Sequence, residues 1–270
     1  MKKLSIVILA IIILLSACDS GEKTPVSSSS PPEISMPPVS SAPSEGPAVT
    51  ASPEPWDTPP PEIETVYDKK EYTNAEKVVG KFNYSAPQFD AEFLSEADVL
   101  FNRGVMSVID TLESSFSQRI DGEDSASGWY CDISSEIMYI NNDVISLVMH
   151  IDRYTGGVHN SLEISSLTFE RSEGRFLTLD DIFSVGSEIY LERIFGAITN
   201  QIEPNADNYY SNYTDRIRER FNPSGFYLTD GSLIIYYQEY DLAAYAVGYC
   251  EFEIPSSDIS DIIETNFLEV

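Results

Sequence analysis

Residues 129–140 read WYCDISSEIMYI, residues 144–154 read VISLVMHIDRY, and Asn141-Asn142-Asp143 stands between them. Both runs are rich in β-branched and aromatic side chains, and the three residues between them tolerate the positive φ of tight turns, so the pair reads as a β-hairpin. Downstream, past Gly156-Gly157, 162–171 reads as a third strand that turns at Ser172-Glu173-Gly174 into 175–179. Upstream, 76–84 reads as a strand ended by Pro87. It is followed by a helix over 97–116, on which Phe101, Val105, Val108, Ile109, Leu112 and Phe116 recur at helical spacing. Ser95 with Asp98 three residues on makes a capping box for that helix. A second amphipathic helix spans 187–202, with Leu191, Ile194, Phe195, Ile198 and Ile202 on one stripe and Pro204 as its stop. A short charged helix (215–221), a hairpin of 226–228 and 233–240 about Thr229-Asp230-Gly231, a strand (248–254) and a closing helix (257–267) complete the chain. Hairpins interleaved with isolated helices predict an α+β fold: an antiparallel sheet built from hairpins, packed with two main helices and a C-terminal helix.

The N-terminus has a different composition. Lys2 and Lys3 precede an apolar run over 4–15 broken only by Ser5, and Asp19 to Glu22 follow too soon for a spanning helix, which needs about 20 apolar residues. Residues 1–17 therefore read as a secretion signal. Leu15-Ser16-Ala17-Cys18 resembles the bacterial lipoprotein cleavage box, which implies a lipid, palmitate included, on Cys18 and a place on the extracytoplasmic face of the cell membrane. Residues 19–62 hold twelve of the sixteen prolines and hardly any large apolar side chains. Such a composition cannot bury a core, so 18–62 is expected to be a disordered Pro/Ser-rich tether. The folded remainder divides in expectation into a smaller lobe, 63–155, and a C-terminal α+β domain, 156–270.

A formal charge of −28 makes nucleic acid an unsuitable partner and favours cationic ones through long-range steering. Cys131 and Cys250 each follow a tyrosine in a strand-like run. Two readings stay open for them: a disulfide, allowed in an oxidising compartment, or two buried thiols. Neither has metal-type spacing, and no metal or other cofactor is expected. Gly-x-Ser-x-Gly, His-Glu-x-x-His and phosphate-cradling glycine loops are all absent from the sequence. His150 alternates with Leu147, Met149 and Ile151 and reads as structural, whereas His159 follows Gly156-Gly157 in a loop. No catalytic residue is assigned, and the chain is expected to be a binding protein rather than an enzyme.

Three ordered stretches resemble the extracytoplasmic domain of RsiV-type anti-sigma factors: Tyr154-Thr155-Gly156-Gly157-Val158-His159, Leu177-Thr178-Leu179-Asp180-Asp181-Ile182-Phe183, and 226–231 followed by 240–248. The same pair of domains precedes some peptidoglycan deacetylase domains. The resemblance covers about residues 66–268. On this reading a lipoprotein signal and tether are expected in place of the sigma-binding segment and membrane-crossing helix, and no deacetylase activity is expected to carry over. It implies a binding role, recognition of lysozyme, a basic protein to which an acidic receptor is steered. The residues expected to form the ligand surface are Tyr154, Gly156, Gly157, His159, Tyr209, Tyr210, Tyr213, Tyr240, Asp241 and Tyr245, with the Tyr209, Tyr210 and Tyr213 trio expected to be exposed. Tyrosines give large contact area with a polar tip at little entropic cost, and they suit a wall glycan as well as a protein. The alternative function is a peptidoglycan-active or glycan-binding accessory protein that uses the His159 loop.

Overall fold

The computed structural model describes residues 62–90, 94–122, 127–264 and 267–268. The expected signal, Cys18 and the tether up to residue 61 lie outside them. Among the described residues, no helix is long and apolar enough to cross a membrane.

Six strands form one sheet in chain order: β1 (Ile63–Asn74), β2 (Lys77–Phe89), β3 (Trp129–Ile140), β4 (Val144–Tyr154), β5 (Ser161–Glu170) and β6 (Arg175–Phe176). All neighbours are antiparallel except β2 and β3, which are parallel because helix α1 (Glu96–Asp121) crosses between them. A second antiparallel sheet joins β7 (Phe226–Thr229), β8 (Ser232–Tyr237) and β9 (Cys250–Pro255). The remaining helices are α2 (Leu179–Ile182), α3 (Ser187–Ile202), α4 (Tyr213–Glu219) and α5 (Ser256–Ile259). The fold is α+β, as the sequence predicts.

The elements stack as helix, sheet, sheet, helix. The α1 stripe from Phe101 to Ile120 packs on Phe82, Cys131, Ile133 and the Ile145, Leu147, Met149 and Ile151 face of β4. Each of these fully buried side chains contributes about 1.5–3 kcal/mol. On the opposite face, Val148 and Ile164 meet Tyr227, Ile234 and Tyr236 of the small sheet. The small sheet's other face, with Leu228, Leu233, Ile235, Tyr237 and Phe252, packs against Ile194, Ile198 and Ile202 of α3. Covered on both faces, β8 is buried at every position. Hydrogen bonds join the two sheets. The Ser146 hydroxyl accepts the Leu228 amide at 2.9 Å and pairs with Thr168 at 2.8 Å, and Ser166 donates to the Phe226 carbonyl.

Several elements differ from expectation. β1 has no predicted counterpart, and α1 runs five residues past Phe116. The Ser95–Asp98 capping box is present. Pro87 does not end β2: it lies beyond the last β2–β3 pair, Ser85↔Ser134, where one edge of the strand has no partner for the N–H that proline lacks. The central hairpin turn uses no positive φ. Asn141 Oδ1 closes it by accepting the Asp143 and Val144 amides, at 2.9 and 2.6 Å. The closing helix is one turn, after which Ile263 bridges Phe183. β4 and β5 pair from Val144↔Glu170 to Arg153↔Ser161, so the expected 155/156 division falls in a connection within one sheet.

Candidate functional site

The β4–β5 connection, the loop before α4 and the β8–β9 connection meet at one place. In the first, Gly156 and Gly157 take φ of +92° and +102°, values that side chains disfavour. The Tyr154 hydroxyl donates to the Gly157 carbonyl at 3.0 Å, and the turn presents Val158, 96% exposed, and His159. The His159 Nδ1 is 2.7 Å from the Asn160 carbonyl, which only accepts. Nδ1 therefore carries the proton, and in the neutral ring Nε2 is left as acceptor, 3.4 Å from the Tyr240 hydroxyl.

Around His159 the aromatic rings gather. Its ring stacks on Tyr245 with centroids 4.0 Å apart, and Tyr240 stacks on Tyr245 at 6.1 Å. Tyr240 is 46% exposed and held at φ +64°. Arg216 of α4 fixes that turn, donating to the Tyr240 carbonyl at 2.6 Å and to the Asp241 carbonyl while its guanidinium lies over the Tyr210 ring. The Tyr210 amide donates to Leu242 O, and Tyr209 bridges Ala243. Below the rings, Tyr245 donates to Asn160 Oδ1 at 2.9 Å, and Asn160 donates to Asp152 Oδ1 at 2.7 Å. Tyr130 donates to the same Asp152 oxygen at 3.2 Å.

Of the expected surface residues, Tyr154, Gly156, Gly157, His159, Tyr210, Tyr240 and Tyr245 come together. Tyr209 and Tyr213 do not present free rings: both are half-buried and pack on the small-sheet core, and burial raises the Tyr209 pKa. Asp241 is a turn residue, its Oδ2 accepting the Gln238 amide at 2.9 Å. Burial raises its pKa, against the Gln238 hydrogen bond and the Arg220 and Arg216 charges. Cys131 and Cys250 are free buried thiols in two different cores, on opposite sides of the sheet pair, so no bridge joins them. Burial pushes their pKa values up to about 12 and about 11. Sequence reasoning did not single out Asn160, Asp152 or Arg216 for this site. The alternation Asp132, His150, Asp152 against buried Cys131, Ile133 and Ile151 was the readable signal for one of them.

The surface is aromatic. Glu239 lies beside it, with Oε1 buried and without a hydrogen-bond partner. Burial raises the Glu239 pKa, offset by the Leu162 amide and the His159 ring. Among the described residues, no group of three or more His, Cys, Asp or Glu could hold a metal ion. The arrangement supplies stacking faces, hydroxyl tips and acceptors on a rigid base.

Residues 180–257 match the family described as a protein of unknown function, DUF3298. A DUF3298 family protein from Pseudomonas aeruginosa PAO1 has a similar structure, with TM-score 0.61 and 18% identity over 79% of this chain and 98% of that one. A member from Bacteroides fragilis NCTC 9343 gives TM-score 0.53 and 19% identity, covering 76% of this chain and 94% of that one. At such identities the likeness is one of fold. In sequence, the chain is 21% identical over 155 residues to the peptidoglycan-N-acetylmuramic acid deacetylase PdaC of Bacillus subtilis (strain 168). The match takes in 56% of this chain but 32% of that protein, so the chain spans about a third of the relative's length. The matched stretch, residues 180–257, carries α3, the small sheet and the Tyr210, Tyr240 and Tyr245 loops.

Proposed function

We propose that this chain is a non-enzymatic binding module of the bacterial envelope, held outside the cell by a lipid on Cys18 and a Pro/Ser tether. Its ligand surface is the His159–Tyr240–Tyr245 face, and its partner is a cationic protein. The observation that carries this reading is the convergence of three loops, far apart in sequence, into one aromatic face on the sheet pair. Lysozyme is the candidate partner implied by the resemblance to RsiV-type extracytoplasmic domains, and the charge of −28 would steer a basic protein toward the surface.

Titrating the full chain with lysozyme at low salt tests the proposal. Saturable binding that weakens with salt is expected, and Tyr240→Ala and Tyr245→Ala should each weaken it by at least about 30-fold, the loss of a buried aromatic anchor of about 2 kcal/mol. Absence of saturable binding at roughly tens of micromolar would sink the lysozyme assignment. Radiolabelled palmitate incorporated by the wild type and lost in Cys18→Ala would support the anchor; equal labelling of both would remove it.

The relative named as a peptidoglycan deacetylase favours a second reading, a wall-glycan accessory acting through the His159 loop. Acetate or sugar fragments released from purified wall by the wild type, and not by His159→Ala, would favour this reading. An unchanged digest would count against it.

A further inference from the structure

The small sheet covers only part of the large sheet's second face. Over β1 to β4 that face is open as a trough with a volume of about 390 Å³. Its floor is two cross-strand rows fixed by the register: Asn83, Asp132 and Asp152 in one, Ser85, Ser134 and His150 in the other. Tyr67, 74% exposed, borders it on β1, and Tyr249 borders it on the side of the small sheet. The Tyr249 hydroxyl is 3.1 Å from His150 Nδ1, and the two rings stack.

Asp132 and Asp152 face each other directly across β3 and β4. Like charges in that position destabilise a sheet. Among the described residues neither has an ion pair, and their hydrogen bonds come from neutral donors: Asn83 to Asp132, Tyr130 and Asn160 to Asp152. Besides His150, the lining has one basic side chain, Lys69, one strand beyond Asn83.

We propose that this trough binds an oligosaccharide bearing free amino groups, with a sugar ammonium lodged between Asp132 and Asp152 and a ring face against the exposed Tyr67. Three features select that chemistry. The carboxylate pair needs a cation. Each row of the floor offers one polar group per strand, at the ~4.8 Å strand spacing, which is close to the length of one hexose unit. Tyr67 supplies the apolar platform that the C–H face of a sugar requires, and the volume lies in the range of small-ligand pockets. A basic peptide would meet the charges but not the floor: β2, β3 and β4 are each paired on both sides there, so no main-chain edge is free to take a peptide backbone. The trough is independent of the protein-binding face, with which it shares Asp152 alone.

The experiment compares the tetramers of glucosamine and N-acetylglucosamine, and tetralysine, as ligands of the full chain at a pH where the sugar amines are protonated. The glucosamine tetramer should bind at least about tenfold more tightly than either of the others. Asp132→Asn and Asp152→Asn should each abolish that preference, whereas Glu188→Gln on α3, an equal change of charge elsewhere, and Tyr240→Ala on the loop face should leave it intact. Equal affinity for the N-acetylated tetramer, tetralysine binding as tight as the amino sugar, or no binding of the glucosamine tetramer would each overturn the proposal, and all three are read on the wild-type chain. None of them bears on lysozyme binding, which Tyr240→Ala reports separately.

Discussion

Asp98 is 2% exposed, closes the capping box of α1 with Ser95, and pairs with Arg171 at 3.2 Å from the far end of β5. Breaking such a pair leaves a buried guanidinium without its counter-ion, so Asp98→Ala should cost about 3–5 kcal/mol, read as a lower urea midpoint. The thiols give a second test. With pKa values raised to about 12 and about 11, Cys131 and Cys250 should resist alkylation at neutral pH in the native protein and react together once it unfolds, as mapped by mass spectrometry. Glu239 gives a third. A carboxyl whose folded pKa lies above its unfolded value opposes folding above that raised pKa, and the opposition fades as pH falls to the ordinary carboxylate range. Glu239→Gln should therefore raise the melting temperature slightly at neutral pH and have no effect in acid.

Helix α1 carries a glycine whose replacement reverses the usual sign. Alanine in a helix interior ordinarily gains about 1 kcal/mol over glycine. A Cβ at Gly104, however, would fall within the Phe176 ring of β6, so Gly104→Ala should instead lose about 1–3 kcal/mol, measured by chemical denaturation. At this scale most of the fold is legible in the sequence. α3 occupies the expected 187–202, because an unbroken apolar stripe bounded by Pro204 leaves little ambiguity. β1 was not legible: IETVYDKKEYTN is exposed on both faces for most of its length and has no alternation to read. The C-terminal isoleucines Ile259, Ile262 and Ile263 have helical spacing and are buried as that spacing requires, but the Phe183 bridge to Ile263 wins the backbone. The site was half legible. Glycines and tyrosines marked its loops, but a neighbour such as Arg216 is recruited from α4 by tertiary contact alone, and tyrosine-rich composition did not separate Tyr210, which meets Arg216, from Tyr209 and Tyr213, which pack inward.

The two sheets share a buried boundary sealed by Ser146, Thr168 and Leu228, so neither can lose structure without exposing groups the other satisfies. Trp129 fluorescence, reporting the α1 core and read in a Trp56→Phe chain so that it is the one indole signal, and far-ultraviolet dichroism, dominated by both sheets, should therefore trace one coincident unfolding transition. The Gln238 side chain acts on the same scale. Its amide accepts from the Ile164 N–H at 3.1 Å and donates to the Ile164 carbonyl at 2.7 Å, occupying the place a further strand would take on β5. Gln238→Ala would leave both backbone groups unsatisfied. A side chain serving as a one-residue strand closes that margin of the sheet to any other chain, while Lys69 and Lys70 guard the outer margin on β1. When molecules of this kind are crowded side by side, these two margins are where zipping into fibres is opposed.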